Sequence, residues 1–226
     1  GTRFFDLPAP FHPFRHQWLA WRRLTSKGQS PASTLVTTGT GSGKTECFQV
    51  PILDHCHREH RAGRKGIKAI ILYPMNALAA DQAGRFAEEI FQTPALCWGT
   101  GPTRKAKIRV GLYTGRFDPA NPNRVSEGAV SEMKIELDGA TEKAYRPMTD
   151  QQAMQDEPPD ILLTNYKMLD FLLMRPKDKA IWRFNQKGTL RYLVLDELHT
   201  YDGAQGADVA CLIRRLKERL EVPRGE

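Results

Sequence analysis

Short apolar runs separated by longer stretches of helical period set the pattern of this chain. Thr34-Leu35-Val36, Lys68 to Tyr73 with Ile70, Ile71 and Leu72 at its centre, Val110 to Tyr113, Asp160 to Thr164 and Leu190 to Leu195 read as buried strands. Between them lie helical segments. Phe14 to Lys27 is amphipathic, with Trp18, Leu19, Trp21 and Leu24 for packing. A helix starts at Cys47 and runs to about Arg61, and another covers Asn76 to Phe91. A third opens at Thr164 or Asn165, with Met168, Leu169, Leu172 and Leu173 at core spacing. Asp178 to Phe184 is a short helix, and Ala207 to Leu220 is a last one carrying Arg214, Arg215, Lys217 and Arg219. The alternation breaks once. From Arg116 to Pro159 the chain is polar, rich in Asp, Asn, Pro and Gly, and without period, apart from a short strand expected at Met133 to Leu137. That is too long for a simple connection, so it is either an insertion folded on the domain or a mobile flap.

Composition narrows the classes. The 226 residues suffice for one substantial domain, and 40% hydrophobic with 26% charged residues is ordinary for a soluble protein. No apolar run is long enough to cross a bilayer and no membrane partner is expected. The opening Gly1-Thr2-Arg3 lacks an initiator Met, which suggests a piece of a longer protein. The four cysteines, Cys47, Cys56, Cys97 and Cys211, form no CxxC pair, so a reducing cytoplasm is expected rather than a disulfide scaffold. A net charge of +7 favours a polyanionic partner.

The chemistry gathers first in TTGTGSGKTE, Thr37 to Glu46, directly after an apolar run and before a helix. That context suits a phosphate-binding loop, because glycines let several backbone N–H groups converge on one anion while the helix adds its positive end. Thr40, Gly41, Ser42, Gly43, Lys44, Thr45 and Glu46 form the candidate nucleotide cradle, with Lys44 reaching the β and γ phosphates and the Thr45 hydroxyl on Mg²⁺. The plain alternative is a turn with no ligand; three glycines, a lysine and a hydroxyl in register count against it. Thr38 stands where the strict pattern has Gly. Upstream, FRHQ opens the first helix and places Arg15 and Gln17 just before its apolar face, and the Gln17 amide offers a donor and an acceptor to an adenine edge, with Phe14 or Phe11 to stack on the base.

Downstream, the strand ending at Leu195 delivers DELH. Adjacent carboxylates after an apolar strand are costly to leave uncompensated, and a divalent cation offsets their repulsion; the plain alternative is an acidic helix cap. Asp196 would hold Mg²⁺ through its water shell, and Glu197 would orient and deprotonate the attacking water. Other strand ends expose backbone amides at helix N-termini, first in YPMNALAADQ and again in TNYKML, where Thr164 and Asn165 are placed for phosphate or sugar contacts. His55, Cys56, His57 and His60 share one helix, at spacings that do not converge on zinc, and read as a solvated helix end.

In order, FRHQ, TGTGSGKTE, YPMNALAADQ, YTGR, TNYKML and DELH resemble the motif series of superfamily two helicases of the DEAD/DEAH type. The finer texture of YPMNALAADQ and DELHTYDGAQGADVA is similar to large bacterial MrfA/YprA-like helicases, some of them in phage-defence systems of the Druantia or DISARM kind. The resemblance implies an α/β fold: one RecA-like domain over residues 1–226, a three-layer αβα arrangement with a mainly parallel sheet and ATP at its carboxyl edge. It implies that Lys44, Asp196 and Glu197 serve hydrolysis and that Arg15 and Gln17 read adenine. His199 would couple ATP to the later Ser-Ala-Thr motif, and Pro74, Asn76, Gln82, Thr114, Gly115, Thr164 and Asn165 would follow a nucleic-acid strand. ATP and Mg²⁺ are the implied cofactors. DNA and a second RecA-like lobe of the same chain are the implied partners, with RNA, or a clamp that does not translocate, as alternatives. Without the Ser-Ala-Thr motif and the second lobe's arginine finger, weak turnover is expected of this stretch alone.

Overall fold

A computed structural model describes residues 5–6, 12–39, 41–99, 105–115, 132–137, 140–145 and 147–222. Two compact units divide the chain, residues 1–64 and 65–226. No helix among the described residues is long and apolar enough to cross a membrane.

The first unit holds two helices, α1 (Arg15–Leu24) and α2 (Lys44–Arg61). Trp21 is the main apolar anchor of α1, 3% exposed and edge-on to Phe5 at 5.5 Å, and its indole N–H donates to the carbonyl of Glu46 at 2.8 Å. The expected packing stripe is corrected here. Gln17, Ala20 and Trp21 are buried, whereas Trp18 and Leu19 are exposed, with the Arg22 guanidinium over the Trp18 ring at 4.7 Å. The strand expected at Thr34 to Val36 is not formed. Leu35 is 69% exposed, and the segment runs irregularly alongside α1, where Arg23 donates to Ser33 O and Thr34 Oγ1. A three-residue apolar run becomes a strand only with a neighbour to pair with, and the described residues of this unit contain no sheet. The solvated helix end expected for the histidines is corrected too. Residues Asp54 to His57 are buried in α2, with His55 Nδ1 bonded to Ser26 Oγ at 2.8 Å and Asp54 paired with Arg58 at 3.0 Å.

The second unit is built on a four-stranded parallel sheet. Its strands are β1 (Ala69–Leu72), β4 (Val110–Tyr113), β7 (Ile161–Thr164) and β8 (Tyr192–Leu195), in the order β4-β7-β1-β8. The two central strands, β1 and β7, are fully buried, as in a sheet covered on both faces, whereas the edge strand β8 is half-buried after Tyr192. Helix α3 (Asn76–Gln92) crosses over after β1 and packs on β4 and β7 through Ala79, Ala83, Phe86 and Ile90. It is followed by a small antiparallel pair, β2 (Cys97–Trp98) with β3 (Lys105–Ala106). Helices α5 (Tyr166–Met174) and α6 (Gly203–Arg219) bring Met168, Leu169, Leu172, Leu212 and Leu216 onto Ile70, Leu72 and Leu162.

Several elements of the polar stretch lie within the described residues. An antiparallel hairpin, β5 (Glu132–Leu137) with β6 (Ala140–Tyr145), contains the short strand expected at Met133 to Leu137. Met148 then adds a bridge to the open edge of β4, exchanging hydrogen bonds with Val110 O and Leu112 N at 2.7 and 2.8 Å. Helix α4 (Gln151–Asp156), capped by Asp150, returns the chain to β7.

Candidate nucleotide and nucleic-acid sites

Within the first unit, the glycine-rich loop closes on the N-terminus of α2. Gly41 and Gly43 have φ of +72° and +76°, the left-handed region where a side chain costs energy, and Gly43 is the residue on which α2 begins. A Cβ at Gly43 would also lie 2.4 Å from Gln17 Nε2. Lys44, the first helical residue, folds back across the loop and donates to the carbonyls of Thr38 and Gly39 at 3.1 and 3.3 Å. Ser42 Oγ lies 2.7 Å from both Gly39 O and Thr38 Oγ1, and the hydroxyl–hydroxyl contact is one that glycine at position 38 could not make. Thr45 and Glu46 are half-buried in the first turn of α2, and Thr40 lies outside the described residues.

Helix α1 braces this loop with three side chains. His16 bonds Ser42 O through a ring nitrogen at 2.9 Å, Gln17 Nε2 donates to Gly43 O at 3.1 Å, and Trp21 holds Glu46 O. Gln17 is 3% exposed, and its Oε1 accepts from Phe14 N at 2.9 Å, so its amide fixes the start of α1 to the loop. Arg15 is exposed, and Phe11 lies outside the described residues. His16 and Trp21 carry no motif signal of their own; the spacing that places Gln17 against the loop places them there as well. Burial pushes the Cys47 thiol, next to the loop, up to about 11, so it stays a neutral packing group.

In the second unit, Asp196 and Glu197 leave β8 at its carboxyl end. The Asp196 amide donates to Leu72 O at 3.0 Å, and its Oδ1 accepts from the Glu197 amide at 2.9 Å. Glu197 has φ 48° and ψ 47°, a left-handed conformation uncommon for non-glycine residues, which Glu221 past the end of α6 also adopts at φ 53°. The Thr200 amide and hydroxyl both donate to Glu197 O at 2.8 Å, which holds that turn, and His199 Nδ1 lies 3.5 Å from Glu197 Oε2. Two tyrosines flank the pair. Tyr73 follows Leu72, whose register partner is Leu195, so Tyr73 stands beside Asp196 on the neighbouring strand. Burial and the charge of Asp196 push the phenols up, Tyr201 to about 12 and Tyr73 further. Both hydroxyls are buried and have no hydrogen-bond partner among the described residues. Removing an unpaired buried hydroxyl relieves its desolvation cost, so Tyr73→Phe is expected to raise stability by about 1 kcal/mol in urea unfolding. A loss of that size instead would reveal a partner for the hydroxyl.

The proposed nucleic-acid residues divide into two groups. Pro74, Asn76 and Asn165 line one open cleft of about 480 Å³ at the N-termini of α3 and α5, together with Tyr166, Lys167, Met168, Phe171 and Gln205. Asn165 Nδ2 donates to Asn76 Oδ1 at 2.7 Å, and Asn165 Oδ1 caps α5 on Met168 N. The others lie outside that lining. Thr164 is fully buried with its hydroxyl on Tyr113 O at 2.5 Å, Gln82 is 6% exposed, and Thr114 is half-buried. Gly115 has φ +75°, and a Cβ there would meet Met168 Sδ at 2.4 Å. Sequence reasoning passed over Tyr166, Lys167 and Phe171, although an aromatic and a lysine directly after an Asn cap are a readable signal.

A parallel α/β domain with a glycine-rich loop at a helix start and paired carboxylates at a strand end belongs to the nucleotide-binding class. Comparison with known proteins narrows the class. The DEAD/DEAH box helicase family model matches residues 14–116. The chain is 31% identical to the Druantia protein DruE of Escherichia coli (strain UMEA 4076-1) over 94% of its own length and 15% of that protein. It is 28% identical to the uncharacterised ATP-dependent helicase YprA of Bacillus subtilis (strain 168), over 90% of this chain and 20% of that one. Among solved structures, that of the DUF1998 helicase MrfA aligns with a TM-score of 0.61 and 26% identity, over 94% of this chain and 25% of that one. This chain thus carries a DEAD/DEAH box helicase domain, and it spans between 15% and 25% of the length of these three relatives.

Proposed function

We propose that this stretch is the ATP-binding motor lobe of a DNA helicase or translocase. The observation that carries the reading is the phosphate loop, where two left-handed glycines bring the backbone onto the N-terminus of the 18-residue α2 with Lys44 as its first residue. Loop amides and the helix end supply fixed positive poles for a triphosphate, and Lys44 exchanges its two carbonyl partners for phosphate oxygens. Arg15 and Gln17 serve adenine, with the Gln17 amide turning from Phe14 N and Gly43 O to the base. The hydroxyl of Thr45 and the carboxylate of Asp196 are hard oxygen donors of the kind Mg²⁺ takes, and the ion supplies charge neutralisation on the phosphates when bound. Glu197 acts as the base on water, and His199 links it to the rest of the motor.

A DNA strand follows the cleft at the N-termini of α3 and α5, where Asn76, Asn165 and Lys167 offer donors to phosphate and Tyr166 and Phe171 offer stacking faces. The relatives' greater length leaves room for the second RecA-like lobe, and the likeness to DruE supports a role in phage defence. The test is ATP turnover by the full-length protein with matched single-stranded DNA and RNA. Stimulation by DNA is expected. Equal or greater stimulation by RNA overturns the DNA assignment, and turnover without strand displacement or tracking overturns movement in favour of a clamp.

A further inference from the structure

We infer that the amino edge of the parallel sheet, opposite the edge that carries the motifs, holds a second contact for single-stranded nucleic acid, centred on Trp98. This inference rests on the nucleic-acid part of the proposed function but uses none of its residues. Helix α3 starts at the carboxyl edge and ends at the amino edge, where β2 and β3 follow it. In that pair alternate side chains face opposite ways. Cys97 is buried and its thiol reaches Ile90 O at 3.3 Å, anchoring the strand to the end of α3, so its neighbour Trp98 is turned outward and is 57% exposed.

The outward ring is held in a basic setting. Lys107 is fixed by its own bond to Ala95 O at 2.9 Å, which sets its ammonium 4.7 Å from the Trp98 ring centre, and Lys105 is the register partner of Trp98 across the pair. A second aromatic with cations lies along the same edge. Asn185 ties the preceding Phe184 to the start of β1 by paired bonds with Ile67 N and O at 2.9 and 2.8 Å. Lys65 and Arg183 stand 5.5 and 5.0 Å from the Phe184 ring. The β1 and β4 starts are two strand steps apart, roughly 10 Å, a span of about three nucleotides at the spacing of one DNA strand. Of the acids on this side, Asp160 is paired with Lys68 at 2.6 Å and Glu157 with Arg109 at 2.5 Å, while Glu88 is bonded to Gln92 and Asp156 to Gln152.

Exposed rings interleaved with lysine and arginine suit unpaired bases stacked on a platform with phosphates between cations. A purely acidic protein segment would use the cations and leave Trp98 without a role, so the ring decides for nucleic acid.

The test is binding of fluorescein-labelled oligothymidylate to the full-length protein over a salt series, with basal ATPase and thermal melting as controls for an intact fold. Binding by the wild type tests the proposed function itself, and its absence overturns both. Given binding, Trp98→Ala is expected to weaken affinity about tenfold, Trp98→Phe to restore most of it, and Lys105→Gln to lower the salt slope by about one. Oligothymidylate should quench wild-type emission by an excess over Trp98→Phe that reports the stacked indole. Wild-type affinity in Trp98→Ala, a failure of Trp98→Phe to restore binding, or displacement of the oligonucleotide by polyglutamate of equal charge overturns the inference.

Discussion

Replacing Glu197 by Gln in the full-length protein is expected to cut DNA-stimulated ATP hydrolysis by about 100-fold or more, the usual contribution of a positioned general base, while ATP binding stays within a few-fold of wild type. The substitution preserves size and removes only the ability to take a proton. Glu197 sits at φ 48°, its amide donates to the carboxylate of Asp196, and its carbonyl accepts from both Thr200 groups. A left-handed backbone at a non-glycine residue costs of order 1 to 3 kcal/mol and persists only where the surroundings impose it. Here two opposing sets of hydrogen bonds do so. Wild-type hydrolysis by Glu197→Gln, measured by phosphate release at saturating ATP and DNA, would remove Glu197 from the chemistry.

The strands of the sheet were readable because their burial on both faces leaves unbroken apolar runs, and Ile70-Ile71-Leu72 and Ile161-Leu162-Leu163 have no other use. Their order was not, since pairing β7 beside β1 depends on which runs meet in space. Thr34 to Val36 misled because three apolar residues carry no period that separates a strand from an exposed connection. Trp18 and Leu19 misled for a related reason. They share the helix with Trp21, and only the loop that Trp21 braces decides which aromatic goes inside. Candidate chemistry fared differently. Glycines, lysine and carboxylates announce phosphate and metal work by type and spacing, whereas the left-handed turn at Glu197 and the cleft joining Asn76 to Asn165 arise from elements far apart in sequence.

The second large effect is structural. Lys68 and Asp160 begin the central strands β1 and β7 one residue before the register pair Ala69 and Ile161, so they face each other across the amino end of the sheet. Their side chains are 1% and 9% exposed and meet at 2.6 Å. The other Asp160 oxygen accepts from Arg109 N at 2.8 Å, ahead of β4, while Lys68 O accepts from Arg191 N and Tyr192 N at the start of β8. The ion pair therefore ties together the amino ends of β1, β7 and β4, while the backbone carbonyl of Lys68 holds the start of β8. Forming it in the interior gains little net energy, because desolvation offsets most of the attraction, but removing one partner strands the other charge. Lys68→Ala is accordingly expected to destabilise the domain by about 3 to 5 kcal/mol, a fall in melting temperature of roughly 10 °C for a chain of this size. Lys68→Met combined with Asp160→Asn removes both charges and keeps an acceptor for Arg109 N, so it should recover much of that loss. Thermal melting of the three proteins checks this: if the double variant is no more stable than Lys68→Ala, the cost lies in lost packing at the strand ends and not in a stranded carboxylate.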